Sequence, residues 1–75
     1  MKLSKMALNK PCVIIKLNFN DKKQREFGEI GLTEGVNVEI VRKAGFNGPY
    51  ELYLRGFYVA IRKNDAENIE VNYGK

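Results

Sequence analysis

The chain has 75 residues, 44% of them apolar, with 13 Lys and Arg against 9 Asp and Glu and a net charge of +4. That length sets one small domain, which buries only about 60% of its unfolded surface and has little chain to spare for a deep internal pocket. The composition excludes a disordered chain, and the modest positive charge permits an acidic partner, a nucleic acid or a membrane surface while requiring none of them.

Cys12 is the single cysteine, so no intrachain disulfide forms. It sits in the apolar run Cys12-Val13-Ile14-Ile15 and reads as a small buried hydrophobe in a reducing cytoplasm. No run of the sequence approaches the roughly 18 to 20 apolar residues that cross a bilayer.

Taken in chain order, residues 3–6 form a lead-in of one helical turn, which Ser4 is placed to cap. Residues 11–17 read as a strand. Its consecutive β-branched residues predict cover on both faces or a place in a closed barrel. Turn chemistry at 18–21 leads to a short helix over 22–30, with Asp21 as its cap and Gln24 completing a capping box. Phe27 and Ile30 share the inner face, while Lys22, Lys23 and Glu26 face water. Gly28 costs such a helix about 1 kcal/mol against Ala, which suggests close approach to the sheet. Gly31 fits a left-handed stop.

After the turn at Glu34-Gly35, Val36, Val38 and Ile40 alternate with Asn37 and Glu39, the clearest half-buried strand of the chain. A Gly/Asn/Pro loop occupies 45–49. Residues 50–55 form a strand with Leu52 and Leu54 inward. Gly56 makes a tight connection, and 57–61 is the hairpin partner with Phe57, Val59 and Ile61 inward. Asn64 caps one helical turn over 65–68, with Glu67 in the capping-box position, and 69–72 is a last strand. Five short strands with one helix after the first predict a mainly β, small five-stranded barrel, closed so that no strand edge is left open.

Two stretches carry a resemblance. Arg25-Glu26-Phe27-Gly28-Glu29-Ile30-Gly31-Leu32-Thr33-Glu34-Gly35 is similar to the helix-turn signature of the FeoA family. Leu3-Ser4-Lys5-Met6 resembles the family's opening, and Phe57 to Arg62 followed by Asp65 to Val71 resembles its closing segment. The match runs over nearly the whole chain in the right order. Glu26, Phe27, Glu34 and Asn9 depart from it, Asn9 standing where Gly is usual, as does the loop Gly45-Phe46-Asn47-Gly48-Pro49. The resemblance implies an SH3-like barrel and an accessory role in bacterial ferrous iron uptake. The partner it implies is the FeoB transporter, met through its cytosolic nucleotide-binding domain or its core. It places the chain in the cytoplasm, recruited to the inner face of the membrane by that partner.

The residues offer no catalytic constellation. There is no His, so Cys12 lacks an activating imidazole, and neither Ser4 nor Thr33 has partners for a triad. No phosphate-binding Gly-x-x-x-x-Gly-Lys loop is present. The resemblance points to transition-metal binding, but only the carboxylate pairs Glu26/Glu29 and Asp65/Glu67 are available, and capping and solvation account for both. No enzyme activity, no cofactor and no metal site are expected.

The expected activity is contact. Tyr50, Tyr53 and Tyr58 read as exposed aromatics, Phe46 as a loop-tip aromatic that either reaches a partner or folds back, and Arg42, Lys43, Arg55 and Arg62 lie on neighbouring strands or their ends. Tyr53, Arg55, Tyr58, Arg62 and Phe46, with Arg25 from the signature helix, are the candidate partner-binding residues. Stacking of bases on Tyr53 and Tyr58 beside Arg55 and Arg62 is the alternative, a barrel that binds single-stranded nucleic acid.

Overall fold

The computed structural model describes residues 1–74. A 3-10 turn, Leu3–Lys5, is followed by β1 (Cys12–Leu17), α1 (Asp21–Glu29), β2 (Asn37–Lys43), β3 (Tyr50–Leu54), β4 (Phe57–Ile61), α2 (Lys63–Ala66) and β5 (Ile69–Tyr73). The strands make one antiparallel sheet in the order β4-β3-β2-β1-β5. Its curl has a local cause. Register shifts interrupt the β1–β5 pairing between Ile14 and Lys16 and the β2–β3 pairing between Ile40 and Arg42, and such bulges bend the strand that carries them.

The inward residues follow the period-2 alternation. Cys12 and Ile14, Val38 and Ile40, Leu52 and Leu54, and Ile69 and Val71 are all buried in one cluster. Leu3 and Met6 from the N-terminal turn, Phe27 from α1 and Leu32 from the turn after it complete that cluster. The alternation in β1 corrects the expectation of a strand covered on both faces: Ile14 is fully buried, whereas Ile15 is 41% exposed.

The sheet does not close by hydrogen bonds between β4 and β5, so the expectation that no edge is left open fails. The outer edge of β5 is covered by the N-terminus instead. The Val71 amide donates to the Met1 carbonyl at 2.7 Å, and Lys2 bridges Glu70.

The helix begins one residue earlier than its sequence suggests. Asn20, not Asp21, is the cap, its Oδ1 accepting from the Lys23 amide at 2.9 Å. Gln24 donates to the Leu17 carbonyl rather than closing a capping box. Ile30 lies past the helix end and is exposed, which leaves Phe27 as the buried residue of α1. Phe27 meets Phe19 edge-on, ring centroids 4.7 Å apart. Lys23 does not simply face water: its Nζ pairs at 2.7 Å with the buried carboxylate of Asp65, tying α1 to α2.

α2 has no side-chain cap. Arg62 holds the capping position, and Asn64, expected there, lies inside the helix, where its carbonyl accepts from Asn68. Ser4 caps nothing either; its Oγ is buried without a partner among the described residues.

Gly31 does take the left-handed conformation of a stop residue, with φ +93°. Gly28 shows no close approach. A Cβ built there would meet only Thr33 Cγ2, at 3.9 Å, an ordinary contact. Gly28→Ala therefore removes a helix penalty without a clash and raises stability by about 0.5–1 kcal/mol, read from the midpoint of urea unfolding. Val38→Asp does the reverse. It places an unpaired carboxylate at a site that is 1% exposed and abolishes cooperative folding by near-UV circular dichroism; a folded variant refutes the strand register.

Candidate partner-binding surface

The β3–β4 hairpin builds the centre of the surface. Its connection is two residues long, Arg55 at φ +49° and Gly56 at φ +87°. Two positive φ values in succession are the requirement of a primed hairpin turn, whose twist matches the strands it joins. Arg55 thus belongs to the turn, not to the strand, and its guanidinium is carried at the hairpin tip. Leu54 pairs with Phe57, so Tyr53 falls opposite Tyr58 on the outer face. The two rings lie 5.1 Å apart, tilted at 55°, and are 38% and 64% exposed. Glu39 of β2 pairs with Tyr53 on its other side, and Glu51 pairs with Ala60.

Tyr53 and Arg55 line a shallow depression of about 160 Å³ with Pro11, Asn37 and Glu39. A larger open groove, about 670 Å³, shares Pro11, Asn37 and Glu39 with it and runs on past Val13, Ile15 and Tyr73. Ile15 and Tyr73 are 41% and 66% exposed. Sequence reading missed this half of the surface because three β-branched residues in a row look buried; only the parity of Cys12 and Ile14 in β1 marks Val13 and Ile15 as outward.

The other candidates scatter. Arg62 stands at the far end of β4, in a separate depression of about 400 Å³ with Asn47, Pro49, Lys63, Asn64 and Glu67. Phe46 sits beside Asn47 at the tip of the β2–β3 loop, fully exposed, with φ +55°. It does not fold back over the sheet. Arg25 is exposed on α1, and no hydrogen bond or ion pair among the described residues links it to the tyrosines.

Two expected exposures are corrected. Tyr50 is buried, because it shares the inward parity of Leu52 and Leu54, and Lys43 Nζ lies 5.3 Å from its ring centroid. Phe57, expected inward, is 41% exposed beside the hairpin turn, its Cζ 3.9 Å from where a Cβ on Gly31 would stand.

Little on this surface is set up for chemistry. Among the described residues no group of three His, Cys, Asp or Glu side chains is gathered that would hold a metal ion. Cys12 is buried, its Sγ donating to the Val38 carbonyl at 3.4 Å. Burial, and secondarily the charge of Glu39, push its pKa up to about 11.

The family model for the FeoA domain matches residues 1–73. The chain belongs to the FeoA family. That family is associated with ferrous iron transport. The FeoA protein of Chlorobium tepidum is 26% identical and superposes with a TM-score of 0.90 over 97% of this chain and 70% of that one. Stenotrophomonas maltophilia FeoA, solved with zinc, is 26% identical, with a TM-score of 0.75 over 96% and 89% of the two chains. It is described as a procaryotic SH3 domain protein and a candidate activating factor for ferrous iron transport. The same SH3-like arrangement recurs in a manganese-dependent transcriptional repressor at 17% identity and a TM-score of 0.86, where it matches 97% of this chain and 36% of that one; the likeness there is of fold alone. No curated protein matches the sequence. No helix among the described residues is long and apolar enough to cross a membrane.

The state of Cys12 is open to a direct check in this FeoA chain. Its raised pKa leaves almost no thiolate at pH 8, so a thiol reagent labels native protein only as fast as it opens. An unfolded thiol ionises near 9.0, whereas the folded one stays protonated to about 11. The folded state then binds more protons than the unfolded, so the stabilising contribution is full below pH 9 and falls as pH rises from there through 11. Cys12→Ala shows a flatter loss of stability over that interval. An equally steep loss in the variant assigns the alkaline transition to other groups.

Proposed function

We propose that this FeoA-family chain is a cytosolic adaptor that binds the FeoB-like ferrous iron transporter, at its nucleotide-binding domain or core, and modulates uptake by contact. The observation that carries this reading is the exposed Tyr53–Tyr58 pair with Arg55 at the hairpin tip beside it. Tyr and Arg dominate the energetics of interfaces because they join large rigid area to a polar end. Here two rings are held by a cross-strand pairing that fixes their spacing before any partner arrives, so little side-chain freedom is lost on contact. The association of the family with ferrous iron transport supports the choice of partner.

The same face argues against a nucleic acid. Glu39 on neighbouring β2 and Glu51, two positions before Tyr53 on β3, flank the tyrosines where a phosphate backbone would need cations. Arg62, expected to extend the basic track, is at the far end of β4.

The test is an amide chemical-shift titration with the transporter's cytosolic domain, and a single-stranded oligonucleotide as control. Combining Tyr53→Ala with Arg55→Asn, where Asn tolerates the positive φ of the turn, keeps the fold and weakens transporter binding by at least about ten-fold, roughly 1.4 kcal/mol. Undiminished binding by the folded double variant places the contact elsewhere. Shifts with the oligonucleotide alone reverse the choice of partner.

A further inference from the structure

The two edges of the sheet are treated differently. β5 is covered: the Met1 carbonyl takes the Val71 amide, and Lys2 bridges Glu70. β4 pairs with β3 on one side and, among the described residues, with no strand on the other. The phase of its hydrogen bonds follows from the hairpin. Residues that flank a two-residue turn exchange both backbone bonds, so Leu54–Phe57, Leu52–Val59 and Tyr50–Ile61 are the bonded pairs. Tyr58 and Ala60 are then the residues whose N–H and C=O groups point away from the sheet. Neither makes a backbone hydrogen bond to any other segment among the described residues.

Edge strands of soluble proteins are ordinarily guarded by a charge, a proline, a bulge or a covering segment. Phe57-Tyr58-Val59-Ala60-Ile61 contains no charged residue and no proline, pairs with β3 without a register shift, and is left uncovered. Phe57, Tyr58 and Ala60 are exposed along it. The charges stand at its two ends, Arg55 at one, Arg62 and Lys63 at the other.

We infer that the outer edge of β4 receives an extended segment of the partner by strand addition, with acidic residues at both ends of that segment and apolar residues between them. The backbone groups of Tyr58 and Ala60 supply the main-chain bonds, and alternate side chains of the incoming strand lie against Tyr58 on one face and Phe57 on the other. The terminal cations select the occupant. A second copy of this chain is disfavoured by the same charges. When Tyr58 of one β4 faces Ala60 of another in the antiparallel sense, Arg55 of each copy falls opposite Lys63 of the other. An acidic segment meets cations at both ends. The inference rests on the adaptor reading for the source of the segment, the cytosolic portion of the transporter, and adds the mode of contact.

Hydrogen exchange on the full chain separates the two claims. With the transporter's cytosolic domain bound, the Tyr58 and Ala60 amides exchange at least about ten-fold more slowly than in the free protein, because they have gained acceptors. Ala60→Pro supplies the second arm. It removes an N–H that the β3–β4 ladder does not use, so the variant stays folded and loses binding by at least about ten-fold. Should that variant fail to fold, the exchange rates of the unaltered chain decide alone. Binding without protection at Tyr58 and Ala60 overturns the edge and leaves the adaptor standing. No binding at all overturns the adaptor reading and the edge with it. Protection of both amides in the absence of the transporter, rising with protein concentration, makes the occupant a second copy and overturns the acidic segment.

Discussion

The connection between β3 and β4 sets the geometry on which the surface depends. Two residues at positive φ fix the pairing phase of the hairpin, and that phase decides three things together. It brings Tyr53 opposite Tyr58 in a non-hydrogen-bonded pair, where side chains approach most closely. It sends Leu52 and Leu54 into the core. It also turns the backbone groups of Tyr58 and Ala60 outward. A slip of one residue would reverse all three, because a strand has a side-chain period of two. Gly56 accepts its φ without strain, whereas Arg55 holds a conformation that L residues with long side chains seldom adopt. The local cost of Arg55 is offset by the core that β3 and β4 bury.

The remaining structure holds this hairpin in place with a small core and a few specific ties. The helix α1 buries Phe27 and little else, so its own sequence would not keep it folded in water. It persists because Asn20 caps it, Phe19 packs on Phe27, and Lys23 reaches the buried Asp65 carboxylate across to α2. The ion pair is unequal in burial, with the Asp65 side chain inside and the Lys23 side chain partly exposed, so the desolvation cost falls mainly on Asp65 and removing Lys23 would strand it. At the opposite end of the chain, Leu3 and Met6 plug the core while Met1 and Lys2 cover β5. The N-terminal residues therefore act as part of the sheet rather than as a lead-in.

Much of this was legible in the residues, and the failures share a cause. The strands were placed by alternation, the helix stop by Gly31, and the family by the ordered segments from Leu3 to Val71. What failed was cover, which depends on neighbours remote in sequence. Val13 and Ile15 look like interior residues until the sheet is seen to carry nothing over β1's outer face. Tyr50 reads as outward on chemistry, although its parity with Leu52 and Leu54 argues otherwise. The Lys23–Asp65 pair spans 42 positions, and nothing local marks it. Of the candidate contact residues, Tyr53, Tyr58 and Arg55 converge because one hairpin carries them. Arg62, Phe46 and Arg25 share residue type, loop position or signature with them, and none of these carries position in the fold.

The positive φ values join the sequence departures to the fold. Asn9 stands where the family pattern has glycine, and its φ is +61°, a conformation that Asn tolerates better than other side-chain-bearing residues. A glycine would take the same backbone without strain. Phe46 and Asn47, at +55° and +61°, show the opposite case. A bulky aromatic at positive φ, fully exposed at a loop tip, gains nothing from the fold that holds it, since it neither packs nor bonds inward. Asn47 is at least tied down by Lys63. No packing or hydrogen bond among the described residues offsets the strain at Phe46, so the loop holds it only through the chain on either side.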